Sequence, residues 1–228
     1  MQATLELWKS FFIAISALLP LINPIGSALV FLGLVGDAPP DTFRSLARKI
    51  AVNNVIFLLI IELLGTAILR FFGISLPIVQ VSGGIVIAAI GWSVLNEKGS
   101  DSWTADKGKG ISLSSEVYKE LEEKAFYPFT FPITSGPGTL VVTLTLASRG
   151  EGNKLELNLL RHGGLFLAIV VLSILVYICY ANAPRLTRAI PQSTVQGILR
   201  VVAFILMCIG MQIAWNGLSA LLPAVLHG

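Results

Sequence analysis

Six long apolar stretches follow one another along this chain, separated by polar segments that are short except for one. Two of these stretches, 51–61 and 165–180, contain no charged residue at all. A helix needs roughly 20 mainly apolar residues to cross roughly 30 Å of hydrocarbon. The pattern therefore predicts six membrane-spanning helices, at 11–34, 49–70, 76–95, 127–147, 163–182 and 197–221.

The composition agrees with a membrane protein. Hydrophobic residues make up 54% of the 228 positions and charged residues 13%, and the mean hydropathy is +0.80. A soluble domain of this length needs more charge to cover its surface. The net charge of +3 is small, and the basic residues are not interleaved with aromatics as on a nucleic-acid-binding face. We therefore expect the lipid bilayer as a partner and no nucleic acid.

The distribution of basic residues predicts the orientation. With six spans, both termini lie on one side together with five Lys and Arg residues, and the other side carries eleven. Positive residues are retained in the cytoplasm. We therefore expect the charged segment 96–126 to be cytoplasmic and both termini to be outside. The first apolar stretch is too long for a signal peptide and is expected to remain as a span.

The chain also contains a weak internal repeat. The halves 1–95 and 127–228 are joined by the linker 96–126, and each half begins with a proline-interrupted helix. Pro20-Leu-Ile-Asn-Pro-Ile-Gly-Ser27 aligns with Pro132-Ile-Thr-Ser-Gly-Pro-Gly-Thr139. Repeats of three spans enter the membrane from opposite sides, as in many secondary transporters. The predicted fold is an all-α, six-helix transmembrane bundle, built as a 3+3 inverted repeat with broken first and fourth helices.

The two breaks suggest a binding site. Asn23 and Gly136 suit the N-cap position, and Pro24 and Pro137 suit the first helical position. A helix that restarts in mid-membrane presents N–H groups and a partial positive charge, and two such ends can hold a carboxylate. Simple kinks are the alternative. The candidate substrate-binding residues are Asn23, Pro24, Gly26, Ser27, Thr134, Ser135, Gly136, Pro137, Gly138 and Thr139.

Other polar residues inside the predicted spans are further candidates. Burying an acid in a span costs roughly 2.5–3.5 kcal/mol on insertion scales, so Glu62 is expected to have a partner, a cavity or a proton. Proton coupling is one hypothesis, and an outward reach to Arg70 or water is the other. Gln80 and Ser82 are candidate lining residues, whereas Asn54 is expected to hydrogen-bond between helices.

The predicted spans lack the aspartates and the paired histidines that intramembrane proteases use. The aspartates fall outside the predicted spans, and His162 and His227 lie far apart and outside them as well. No enzyme, no metal site and no cofactor is therefore predicted, apart from H⁺ or Na⁺ as a coupling ion.

Four motifs together resemble the MarC family of bacterial and archaeal inner-membrane proteins. They are Asn23-Pro-Ile-Gly26, Phe72-Gly-Ile-Ser-Leu-Pro77, Ser82-Gly-Gly-Ile85 and Pro132-Ile-Thr-Ser-Gly-Pro-Gly138. The resemblance extends over essentially the whole chain and implies a six-span protein of the inner membrane. Because members that look like this chain include a transporter of small neutral amino acids, it also implies transport of alanine, glycine or similar substrates.

The residues and the resemblance together predict a secondary transporter, acting as an exporter or an exchanger. The substrate carboxylate would bind the helix ends at Pro24 and Pro137, and one half would rock against the other. Two alternatives remain open: a passive channel for small solutes and a non-transporting membrane protein of the same family. The sequence does not predict the oligomeric state.

Overall fold

The computed structural model describes residues 2–36, 38–96, 121–148, 155–185 and 192–226. Within these ranges the chain is helical. The helices are α1 (Gln2–Ile22), α2 (Pro24–Val35), α3 (Pro40–Phe71), α4 (Leu76–Asn96), α5 (Ala125–Thr134), α6 (Pro137–Ser148), α7 (Leu155–Ala181) and α8 (Gln192–Leu226). Most of the predicted linker 96–126 lies outside the described residues.

Five of the described segments are long and apolar enough to cross a membrane. The pair α1–α2 forms one of them, over Thr4–Val35, and α3, α4, α7 and α8 provide the others. The pair α5–α6 is bent by 72° at residues 135–136, and it makes a sixth only if the bent pair is one span. For the described residues, an all-helical fold with five or six candidate membrane spans is thus confirmed.

Several helices extend beyond the predicted ends of the spans. Helix α3 begins at Pro40 instead of 49, and α7 begins at Leu155 instead of 163. The apolar pattern marks only the residues that face lipid or the core, whereas the backbone stays helical into the polar flanks. Proline in the first turn of α3, followed by the acidic Asp41, favours such an early start.

Three pairs of helices pack antiparallel, with one member from each half of the chain. In the pair of α1–α2 with α5–α6, Leu21 lies beside Gly138, and Phe31 lies against Phe129 with ring centroids 5.3 Å apart. Because the residue number rises on one member as it falls on the other, the two breaks are brought to the same level.

The other two pairs follow the same rule. On α3 and α7, Asn54 contacts Ser173 and Glu62 contacts His162. On α4 and α8 the contact is made through glycines: a methyl group at Gly84 would lie only 2.6 Å from the carbonyl oxygen of Gly210. Small residues of this kind let spanning helices approach closely.

The start of the second half of the chain is tied to α3 by a polar contact. Glu122, just before α5, accepts hydrogen bonds from Lys49 and from Ser45. These bonds hold the pKa of the Glu122 carboxyl below its ordinary value, and the bond from Lys49 has the larger effect. They fix the position from which α5 enters the bundle.

The packing of α1 against α7 can be tested with two adjacent glycines. A methyl group at Gly164 would lie 2.5 Å from the carbonyl oxygen of Leu7, whereas at Gly163 the nearest atom is 3.9 Å away. We expect Gly164→Ala to lower the free energy of unfolding by about 1–3 kcal/mol, because a backbone contact cannot yield as a side chain can. Gly163→Ala is the matched control and should be neutral. Thermal unfolding in detergent measures both, and equal stability of the two variants would contradict this packing.

Candidate functional site

The first helix break is a single residue with its own cap. Asn23 adopts a left-handed conformation (φ 42°, ψ 67°), which asparagine tolerates better than most residues. Its Oδ1 accepts a hydrogen bond from the N–H of Gly26 at 3.2 Å, and α2 begins at Pro24. The predicted cap and proline are therefore confirmed. Because the Asn23 side chain already bonds Gly26, this helix start is partly satisfied from within.

The second break is wider. Helix α6 begins at Pro137, as predicted. The segment before it is not a regular α-helix: Tyr127 and Phe131 are extended, and each precedes a cis proline. The irregular backbone from Ala125 to Thr134 was not predicted; prolines at 128 and 132 remove two backbone donors there.

Threonine hydroxyls satisfy two backbone carbonyls of α5. The Thr130 hydroxyl donates to the carbonyl of Ala125 at 2.8 Å, and the Thr134 hydroxyl donates to the carbonyl of Phe129 at 2.7 Å. Both side chains are fully buried. The irregular backbone of α5 is thus satisfied inside the protein, as membrane depth requires.

Tyr180 of α7 connects the two breaks. Its hydroxyl lies 2.8 Å from the Thr134 hydroxyl, next to the second break. It also lies near Ser27, one turn after the first break, whose own hydroxyl donates to the carbonyl of Asn23. Its ring stacks on Phe31 with centroids 4.5 Å apart. The side chain is 0% exposed. Tyr180 is not predicted from the sequence as a site residue, because a tyrosine near the end of an apolar stretch has no distinguishing pattern.

Asn54 of α3 forms the other side of the polar cluster. Its Oδ1 accepts a hydrogen bond of 2.6 Å from Ser135, and its Nδ2 donates one of 3.0 Å to Ser173. All three side chains are buried. The predicted interhelical bonding of Asn54 is confirmed, but its direct contact with the second break was not anticipated. We call the residues around the two breaks the polar cluster: Ser27, Asn54, Thr134, Ser135, Thr139, Ser173 and Tyr180.

Thr139 is the member of the polar cluster with an unsatisfied hydroxyl. It lies in the first turn of α6, it is 1% exposed, and its Oγ1 has no hydrogen-bond partner. Its neighbour Gly138 is enclosed by Leu21 and Ile87. A buried hydroxyl without a partner is costly, and here it lies beside a helix N-terminus. The other predicted residues Pro24 and Gly26 are buried, Asn23 and Gly136 are half-buried, and Pro137 is exposed.

The two candidate lining residues on α4 differ in position. Gln80 is half-buried, and its Nε2 lies 3.5 Å from the Thr145 hydroxyl of α6. Ser82 is exposed and donates to backbone carbonyls of its own helix. Gly83 packs against Val141 of α6, so Ser82 is on a different face of α4.

Glu62 is buried but lies away from the polar cluster. Its Oε1 is 3.1 Å from Nδ1 of His162, while its Oε2 has no partner. One of the two hypotheses for Glu62 predicted that its side chain reaches outward to Arg70 or water. The hydrogen-bonding partner is His162 instead. His162 was expected outside the spans, because the apolar stretch begins at residue 163, but it lies within α7.

The comparisons with known proteins concern the whole chain. The profile of a family described as MarC family integral membrane protein matches residues 8–222. The inner membrane protein MarC of Salmonella typhimurium (strain LT2) is 27% identical over 225 residues, which cover 93% of this chain and 96% of the relative. The protein of the same name from Escherichia coli O1:K1 is 26% identical over 216 residues, with 94% and 96% covered. No solved structure matches.

Proposed function

Because the chain belongs to the MarC family of integral membrane proteins, we propose that this multi-pass inner-membrane protein is a secondary transporter of small neutral amino acids such as alanine and glycine. It would act as an exporter or an exchanger. The observation that carries the proposal is the meeting of two helix breaks at one buried polar cluster, joined through Tyr180. Polar groups at membrane depth are costly and are typical of substrate pathways.

The antiparallel pairing of helices supports a 3+3 inverted repeat. A two-fold axis in the membrane plane makes equivalent helices of the two halves run in opposite directions. The pairs α1–α2 with α5–α6, α3 with α7, and α4 with α8 meet this requirement. In the proposed cycle the halves 1–95 and 127–228 rock against each other and expose the polar cluster to each side in turn.

The chemistry of the polar cluster favours a neutral zwitterion. Its side chains are hydroxyls and one amide, so no member carries a full charge at neutral pH. A substrate with no net charge therefore fits better than an ion. Its carboxylate would bind at the start of α6 next to the Thr139 hydroxyl, where the helix dipole is positive. Its ammonium group, or a Na⁺ ion, would bind the carbonyls around 19–22 and 131–134. The start of α2 contributes less, because Asn23 already caps it.

Direct bonding within the polar cluster favours alternating access over a passive channel. Asn54, Ser135 and Tyr180 are each 0% exposed, and they bond to other side chains instead of lining open space. A substrate must displace these bonds in order to bind. Transport should consequently be saturable.

The proposal is tested by counterflow in proteoliposomes that contain the full chain. We expect labelled alanine and glycine to accumulate when the liposomes are preloaded with the unlabelled amino acid, and the rate should saturate with substrate. Flux that rises linearly with concentration would support the channel instead. If no member of a panel of small neutral amino acids showed counterflow, the proposal would be rejected.

Thr139→Val tests the place of the unsatisfied hydroxyl. We expect the variant to reduce counterflow about tenfold, the worth of one hydrogen bond of about 1.4 kcal/mol, without loss of stability, since the hydroxyl has no partner in the protein. Thr143→Val is the matched control one turn further on. The Thr143 hydroxyl donates to the carbonyl of Thr139, so its removal should leave substrate affinity unchanged. Equal kinetics for the two variants would exclude Thr139 from the binding site.

A further inference from the structure

Glu62 and His162 form an acid–base pair inside the bundle that the polar cluster does not include. The Glu62 side chain is 1% exposed, and its Oε1 is 3.1 Å from Nδ1 of His162. The second carboxyl oxygen, Oε2, is buried and has no hydrogen-bond partner among the residues that the structure describes. A carboxylate that only keeps helices together would have both oxygens bonded, because an unbonded anionic oxygen at this depth is costly.

We propose that the Glu62–His162 pair is the proton-binding site that couples transport to the proton gradient; this inference rests on the proposed function. In the unloaded state, neutral His162 donates its Nδ1–H to the Glu62 carboxylate. A proton from bulk water then binds Nε2 of His162, and the Nδ1 proton moves to Oε1 of Glu62. The charge of the pair changes from −1 to 0. After the halves have rocked, one proton leaves the pair for bulk water, and the charge returns to −1.

Among the described residues, charged side chains at the same end of the bundle form ion pairs with one another. On α1, Glu6 is bonded to Lys9 at 4.0 Å and to Arg161 of α7 at 3.6 Å. Helix α6 contributes no ionisable side chain, and the described part of α5 contributes Tyr127 alone. Arg70 lies about two turns further along α3.

The exposure of the two partners gives the proton a route from one side. The His162 side chain is 36% exposed and the Glu62 side chain 1%. At the same end of the bundle, a cavity of about 290 Å³ is lined by residues that include Glu6, Ser10 and Arg161, the residue before His162. Histidine can accept a proton at one ring nitrogen while it releases one from the other. In this conformation the pair is thus open to the end of the bundle where α7 begins.

The distance to the polar cluster suits indirect coupling. Glu62 follows Asn54 by eight residues on α3, or about 12 Å along a helix. Both residues contact α7, through Ser173 and His162. A change of charge at one end of the α3–α7 contact therefore acts on the two helices that carry Asn54, Ser173 and Tyr180 of the polar cluster.

The test separates exchange from proton-driven accumulation. In Glu62→Gln the side chain imitates the protonated carboxyl, so we expect counterflow of labelled alanine to stay within about twofold of the unaltered protein. Accumulation driven by an imposed pH gradient should fall at least about tenfold. His162→Gln keeps a donor for Glu62 but cannot relay protons, and it should also lose gradient-driven accumulation. Glu6→Gln is the control at the same end and should retain both activities.

A second measurement does not depend on transport. Infrared difference spectra between high and low pH should show a protonated carboxyl band that disappears in Glu62→Gln and persists in Glu6→Gln. Gradient-driven accumulation by Glu62→Gln at the unaltered rate, or a carboxyl band unchanged in that variant, would overturn the inference. Absence of counterflow in the unaltered protein would instead overturn the proposed function and the coupling, and the infrared band would then decide whether the pair still binds a proton.

Discussion

Asn54→Ala is expected to reduce alanine counterflow about a hundredfold and to lower the free energy of unfolding by about 1–3 kcal/mol. The amide of Asn54 joins the Ser135 hydroxyl of the second break to the Ser173 hydroxyl of α7. Its removal leaves two buried hydroxyls without a partner, each at a cost of about 1 kcal/mol or more. If the substrate also bonds to these groups, two lost hydrogen bonds correspond to about 2.8 kcal/mol, or a factor of about 100.

The adjacent asparagine provides the control for this prediction. Asn53 is half-buried, whereas Asn54 is 0% exposed. Asn53→Ala removes the same side chain from the same turn of α3 and should leave counterflow within about twofold. The counterflow rate at saturating alanine, the apparent affinity and the thermal unfolding curve should be measured for both variants. A loss of stability in Asn54→Ala with normal counterflow would make Asn54 a structural residue and remove it from the proposed site.

Local rules predicted the positions at which the helices restart. The Asn23 cap, Pro24 in the first helical position and the start of α6 at Pro137 all follow from the preferences of single residues for helix ends. The same preferences act whatever surrounds the helix. They therefore fixed where the backbone is interrupted, although not that Asn23 satisfies its own helix.

Tertiary contacts supplied what the sequence could not predict. His162 and Glu62 are one hundred positions apart, and Thr134 and Tyr180 are 46 apart. Such pairs depend on the register between helices, which no spacing rule specifies. The irregular α5 was missed for a different reason: the second break was predicted from Pro132 and Pro137 alone, whereas Pro128 and Pro132 are each preceded by an extended residue.

The polar cluster contains residues from both halves of the chain, so relative motion of the halves changes its geometry. Ser27 belongs to the first half of the chain, while Thr134 and Tyr180 belong to the second. A rocking motion between the halves must therefore change the distance between Ser27 and the Tyr180 hydroxyl. A substrate that enters the polar cluster would stabilise one spacing over another, which is the differential affinity that a conformational cycle requires.

Tyr180→Phe tests this connection by removal of a single oxygen atom. The ring should keep its stacking on Phe31, so the core packing is preserved. The lost hydroxyl bonds to Thr134 at the second break and lies near Ser27, one turn after the first break. The Thr134 and Ser27 hydroxyls keep their bonds to backbone carbonyls, so the loss is that of the hydrogen bonding of Tyr180 itself. At about 2 kcal/mol, we expect counterflow to fall about thirtyfold.

The control for Tyr180→Phe lies one turn earlier on the same helix. Tyr177 is 37% exposed, and Tyr177→Phe should leave transport unchanged. Reduced counterflow in Tyr180→Phe with an unaltered thermal unfolding midpoint would assign the hydroxyl to the transport cycle, because a purely structural bond would lower both. Wild-type counterflow in Tyr180→Phe would mean that the two breaks act independently. The binding site would then be confined to the second break and Asn54. Simultaneous binding of one substrate by both halves of the chain would no longer be part of the proposed mechanism.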